Sequence, residues 1–184
     1  MADFGMADCK PVVTPLPEKL VLTSATDDKV LEAHSFPYLQ AIGSVMYAML
    51  GMRPDIAYAV STLSCFSSQP GPKHVQALKH LLQYLKGSAD FGIVYSHDGG
   101  TLLGSESKRI LHSECDSLVG FTDSDYTMDP ESQCSISSSV FLTAGGPVSW
   151  QSKLQSSVSQ SSTEAKYVAS SEAAKEAVWL CQLL

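Results

Sequence analysis

The hydrophobic period changes at Gly87, so two kinds of secondary structure must lie on either side of it. Upstream, Ile42, Val45, Met46, Met49 and Leu50 fall at i, i+3, i+4, i+7 and i+8, one apolar face of a helix. Gly51 is a stop signal and Pro54 a start signal for a second helix, which Ile56, Ala59, Val60 and Leu63 continue. SSQPGP at 67–72 is a break. A third helix follows, with Val75, Leu78, Leu81, Leu82 and Leu85 inside and Gly87 at its end. The spacing predicts a small helical bundle over residues 37–87. Downstream, FGIVYS (91–96), LVGFT (118–122), SISSSVFLT (135–143) and VSWQSK (148–153) read as strands. HDGG at 97–100, MDPES at 128–132 and residues 145–147 read as bends. Residues 101–104 are a candidate return strand, and 105–116 read as a polar loop. Loops this short hold no crossover helix, so the strands should form an antiparallel meander. Ser161 and Glu164 match the S-x-x-E capping box of a last helix, which Ala165, Val168, Ala169, Ala173 and Ala177 carry toward the chain end.

Three parts result: an extended arm over 1–36, punctuated by Pro11, Pro15 and Pro17; the bundle over 37–87; and an α+β portion over 88–184. Among 184 residues, 44% hydrophobic and 17% charged content suits a packed core. The net charge of -7 argues against binding nucleic acid through a basic surface, so metal ions or a partner would have to offset the acids. Cys9, Cys65, Cys115, Cys134 and Cys181 are scattered, with no CxxC pair, so neither a zinc pattern nor a disulfide framework is suggested. No stretch has signal-peptide character or reaches the roughly 18 apolar residues of a membrane span. These features predict an intracellular protein, cytoplasmic or nuclear, with no membrane partner.

The chemistry concentrates in LVGFTDSDY at 118–126. Asp123 and Asp125 are spaced i, i+2, so on a strand both point to one side. Two carboxylates on one face are costly unless a cation lies between them, which makes the pair a candidate metal site. A strand running into an acidic turn gives the same pattern. A second candidate is the basic face of the third helix, Lys73, His74, Lys79, His80 and Lys86. It reads either as a nucleic-acid stripe or as a solvated face.

A strand ending in TDSD, two more antiparallel strands and a helix opening SSTEA follow the order of a ribonuclease H fold. The sequence itself resembles the Pol polyprotein of copia-type retrotransposons over nearly its whole length. The segments that carry the likeness are DCKPVVTPL (8–16), PYLQAIGSVMYAMLGMRPDIAYAV (37–60), HVQALKHLLQYLKGSADFGIVY (74–95), LVGFTDSDY, and the run from SSSVFLTAGG to EAVWL. The resemblance implies that the helical half is the connection segment after the reverse transcriptase, and that the second half is a truncated ribonuclease H-like domain.

In that family an acid cluster holds two Mg²⁺ ions, with Mn²⁺ as an alternative, and cuts the RNA strand of an RNA–DNA hybrid. The resemblance matches Asp123 to the first-strand acid of the cluster and Asp125 to a further acid of the family pattern, a candidate metal ligand; an active enzyme would need replacement acids, with Asp125, Asp129 and Glu164 as the candidates and Glu164 as the catalytic one from the helix. The family motif STEAEY reads Thr163-Glu164-Ala165-Lys166-Tyr167 here, so Lys166 takes the place of the usual metal-binding acid. An ammonium repels Mg²⁺, although it suits a pairing with Asp123. Glu164 lies two positions away, about 200° round the helix. The family's next strand, with its own Asp, follows this helix, and the chain is expected to lack it. Two functions follow: a metal-dependent ribonuclease, impaired here, or a non-catalytic module that binds protein or nucleic acid. An open sheet edge also predicts self-association.

Overall fold

The structure, a computed structural model, describes residues 4–6, 8–18, 20–24, 36–95, 118–127 and 132–184. The chain divides into two compact units, Met1–Gly92 and Ile93–Leu184. The architecture is α+β, with four α-helices and one three-stranded antiparallel sheet among the described residues.

In the first unit α1 (Tyr38–Met52), a 3₁₀ turn (Pro54–Ile56), α2 (Ala57–Ser64) and α3 (Pro72–Gly87) surround a core that includes Ile42, Val60, Leu63, Leu78 and Leu81. The first helix does not stop at Gly51. Gly51 sits on an open face with nothing within 4 Å of a built Cβ, and the helix runs on to Met52. The stop is Arg53, at φ -130°, because a residue before proline is driven out of the α region. The arm has no α-helix among its described residues, yet it is no free linker. Met6 and Leu22 are buried in the bundle core, and Pro11 lies so close to Gly87 that a Cβ there would approach within 2.9 Å.

In the second unit β1 (Val119–Asp125), β2 (Ile136–Thr143) and β3 (Gly146–Leu154) pair in the order β1-β2-β3, and α4 (Ser162–Leu183) packs on β1 and β2. Three expectations need correction. The strand expected over 118–122 lies at the edge of the sheet among the described residues and runs on through both aspartates. The bend expected at 145–147 is a two-residue turn of Ala144 and Gly145, with Gly146 and Pro147 already in β3. Both turn residues have positive φ, 47° and 78°, the geometry whose twist matches a tight hairpin. Residues 91–95 form no strand. Phe91, Val94 and Tyr95 remain exposed, so no buried face sets a ladder there, and Tyr95 instead donates its hydroxyl to Pro147 O at 2.8 Å. The expected turn at 97–100, return strand at 101–104 and loop at 105–116 lie outside the described residues, as does Asp129.

The last helix begins where the capping box places it. Ser161 Oγ accepts from Glu164 N at 3.1 Å, and Glu164 Oε2 reaches back to accept from Gln160 N at 2.7 Å. Ala165, Ala169 and Ala173, four apart, bring the helix close to the sheet.

Candidate functional site

The parity of β1 decides what its aspartates can do. A Cβ on Gly120 would meet the Phe141 ring at 2.5 Å, and Phe141 is buried with Ala173 and Leu180 of α4. Gly120 therefore faces α4, as do Leu118, Thr122 and Ser124 by alternation. Asp123 and Asp125 share one face, as their spacing predicts, but it is the face away from α4. Both are exposed. Asp123 is paired across the ladder with Ser138, and its Oδ1 accepts from Ser124 N at 2.8 Å.

The helix residues do not join them. Glu164 is occupied at the helix cap. Lys166 is exposed, and the anticipated pairing with Asp123 is not formed: no ion pair joins the two among the described residues. The reason is geometric, since α4 crosses one face of the sheet and the carboxylates project from the other. Among the described residues no group of three or more His, Cys, Asp or Glu side chains stands together as a metal site. Two hard oxygen ligands on one strand suit a single exposed cation, but they do not make the donor set of a two-ion centre.

The basic face of α3 is partly taken up by the arm. Lys79 Nζ lies 5.3 Å over the Phe36 ring, Lys86 Nζ donates to Cys9 O at 2.9 Å, and His80 Nε2 lies 3.0 Å from Thr14 O. Lys73 is exposed. His74 does not belong to this face. It is 1% exposed, stacks on Phe66 at 4.2 Å, and its Nδ1 accepts from Gly71 N at 2.8 Å.

Three arrangements escaped the sequence reading. Arg53, 6% exposed, forks onto both carboxylate oxygens of Asp55, at 2.9 and 2.7 Å, and also donates to Ser88 O and Oγ. Tyr84 donates to the same carboxylate at 2.8 Å. Burial pushes the Asp55 carboxyl up, but the hydrogen bonds from Arg53 and Tyr84 and the Arg53 charge outweigh it and hold the group below its ordinary value. The carboxylate in turn raises Arg53. Burial and the same carboxylate raise Tyr84. The RPD tripeptide was the available signal. Second, buried Gln155 ties α4 to the sheet: Nε2 donates to Ser137 Oγ at 2.8 Å and to Ala165 O at 3.0 Å, while Oε1 accepts from Ser159 at 3.0 Å. Nothing in the sequence marks that glutamine. Third, a groove of about 360 Å³ runs between β1 and α4, lined by Gly120, Thr122, Phe141, Ser170, Ala174 and Cys181 among others. Its signal was the run of small residues beside the buried alanines.

No family model matches the chain, and no solved structure matches it. Curated proteins do. The chain is 39% identical to the Retrovirus-related Pol polyprotein from transposon TNT 1-94 of Nicotiana tabacum, over 98% of this chain and 13% of that polyprotein. It is 34% identical to the corresponding polyprotein from transposon RE1 of Arabidopsis thaliana, over 100% of this chain and 11% of the polyprotein. The chain thus spans a small fraction of the length of these Pol proteins. It is also 44% identical to Secreted RxLR effector protein 161 of Plasmopara viticola, over 78% of this chain and 91% of that protein. The Pol polyproteins match over 98–100% of this chain, which identifies the lineage: the chain is homologous to a segment of the retrovirus-related, copia-type retrotransposon Pol polyproteins.

Proposed function

We infer that the chain is a connection and ribonuclease H-like segment of a copia-type Pol protein, whose lineage activity is metal-dependent cleavage of RNA in RNA–DNA hybrids and whose own cleavage is impaired. The observation that carries this reading is the geometry of β1. The strand keeps the Asp123 and Asp125 pair of the family motif, while α4 brings Lys166 where the family has an acid and uses Glu164 as a cap. Mg²⁺ or Mn²⁺ remains the cation of choice for two carboxylates, but no reaction step is assigned through it. The test is hybrid cleavage by the wild type, Lys166→Glu and Asp123→Asn, in Mg²⁺ and in Mn²⁺. Weak or no wild-type cleavage is expected. Lys166→Glu should bind Mg²⁺ more tightly by calorimetry yet restore little cleavage. Robust wild-type cleavage abolished by Asp123→Asn would overturn the reading.

A second reading, a non-catalytic interaction module, is favoured by one observation: the match to the Plasmopara viticola effector covers 91% of that protein, so a polypeptide of about this extent is found outside a polyprotein.

A further inference from the structure

The chain passes from the first unit to the second between Gly92 and Ile93, and it is fastened close to that point on both sides. On the first side the fastening is Phe91. Its backbone N donates to Ser88 O at 3.1 Å, and Arg53 Nη1 donates to the same carbonyl at 3.0 Å. The Arg53 guanidinium also lies 5.9 Å from the centre of the Phe91 ring, within reach of a cation–π attraction. Arg53 is buried and forked onto Asp55, so this clamp is rooted inside the unit. On the second side the fastening is Tyr95, whose hydroxyl donates to Pro147 O at 2.8 Å. Its ring lies on Gly146: a Cβ built there would come within 2.7 and 2.8 Å of the ring and 3.0 Å of Val94 O. Of the two glycines at this turn, Gly145 has positive φ and Gly146 does not. The backbone therefore has no need of glycine at 146, whereas the close approach of Val94 and Tyr95 does.

We propose that Gly92 and Ile93 form a two-residue hinge, bounded by the Arg53–Phe91 clamp and a releasable Tyr95–Gly146 latch. A hinge is a few residues that absorb a φ/ψ change between parts held firm. Gly92 admits either sign of φ. The clamp keeps that change out of the end of α3, and the latch keeps it out of the β2–β3 turn. The two fastenings differ in strength. The hydrogen bond from Arg53 to Ser88 is buried and charge-assisted, whereas the one from Tyr95 to Pro147 is neutral and exposed. The latch is thus the end that opens first. Its release adds Val94 and Tyr95 to the free chain, which grows from two residues to four, so one tyrosine sets the length of the joint. This inference stands on contacts made within each unit, and does not rest on the cleavage reading.

The test is ¹⁵N relaxation of the backbone amides of the full chain. Order parameters of about 0.85, those of rigid backbone, are expected at Phe91 and Tyr95, with a minimum confined to Gly92 and Ile93. Tyr95→Ala should extend the minimum through residue 95. Gly146→Ala keeps the tyrosine but fills its seat, and should do the same. The double variant should go no further than either single one, because both break one contact. Phe91→Ala should extend the minimum the other way, to Asp90, and leave Tyr95 ordered. A wild-type minimum that already spans residues 88–95, no minimum at all, or Tyr95 still ordered in Gly146→Ala would each overturn the proposal. Should Gly146→Ala fail to fold, Tyr95→Ala still decides: residues 94 and 95 as ordered as in the wild type would mean that the ring holds nothing.

Discussion

Asp55→Ala should be the most damaging single change in the first unit outside its apolar core. Arg53 is 8% exposed along its side chain and Asp55 33%, with the fork at 2.9 and 2.7 Å. Removing one partner of a buried pair costs about 3–5 kcal/mol, because the other charge stays buried. The partial exposure of Asp55 lets water screen the orphaned guanidinium, and Ser88 still accepts from it, so about 2 kcal/mol is the better figure. With a urea slope near 2 kcal/mol per molar, the midpoint should fall by about 1 M. Helical circular dichroism follows the transition. Tryptophan emission, recorded alongside, reports the second unit, since Trp150 and Trp179 both belong to it. The double variant Arg53→Met with Asp55→Ala removes the stranded charge and should be at least as stable as Asp55→Ala alone. A loss below about 0.5 kcal/mol, within the range of ordinary surface changes, would refute the reasoning. So would a double variant clearly weaker than the single one.

Two further outcomes follow from named contacts. The Asp55 carboxyl is held below its ordinary value, so its stabilisation is fully present above about pH 4 and is lost as pH falls through the depressed value. Urea midpoints of wild type and Asp55→Ala should therefore converge on acidification, and a gap that widens below that pH would contradict the assignment. In the second unit Gly120→Ala places a methyl 2.5 Å from Phe141 Cε1 and 2.8 Å from Cδ1, and should cost about 1–3 kcal/mol read by tryptophan emission. A wild-type midpoint would mean that the ring has room to move.

The helical half was legible because its core is built at one period. Val75, Leu78, Leu81 and Leu82 lie on one face of α3 and are all buried. The capping box at Ser161 was legible for a similar reason, since its partners are local. What the pattern misread depended on neighbours far along the chain. FGIVYS has strand-forming residues, yet residues 91–95 form no ladder, and β propensity is a statement about a pleated surface more than about a backbone. Ala144 gave no sign of its positive φ, which the hairpin twist imposes on it. His74 looked like one more member of a basic face, and only its stacking on Phe66 places it inside. For the candidate site, the i, i+2 spacing correctly predicted that both aspartates share a face. It held no information about which face that is.

That choice of face is settled by a glycine. At position 120 a side chain would collide with Phe141, so glycine lets the buried ring lie against β1 beneath α4. Once the even-numbered residues of β1 are committed to the helix, the odd-numbered aspartates are committed to the other side. A metal centre built with acids from α4 would then need ligands from the helix to reach past the strand edge. Lys166 stands four residues before Ser170, on the flank that walls the groove along that edge. The carboxylates thus lie on the face of the sheet away from α4, which is why no ion pair joins them to Lys166 among the described residues.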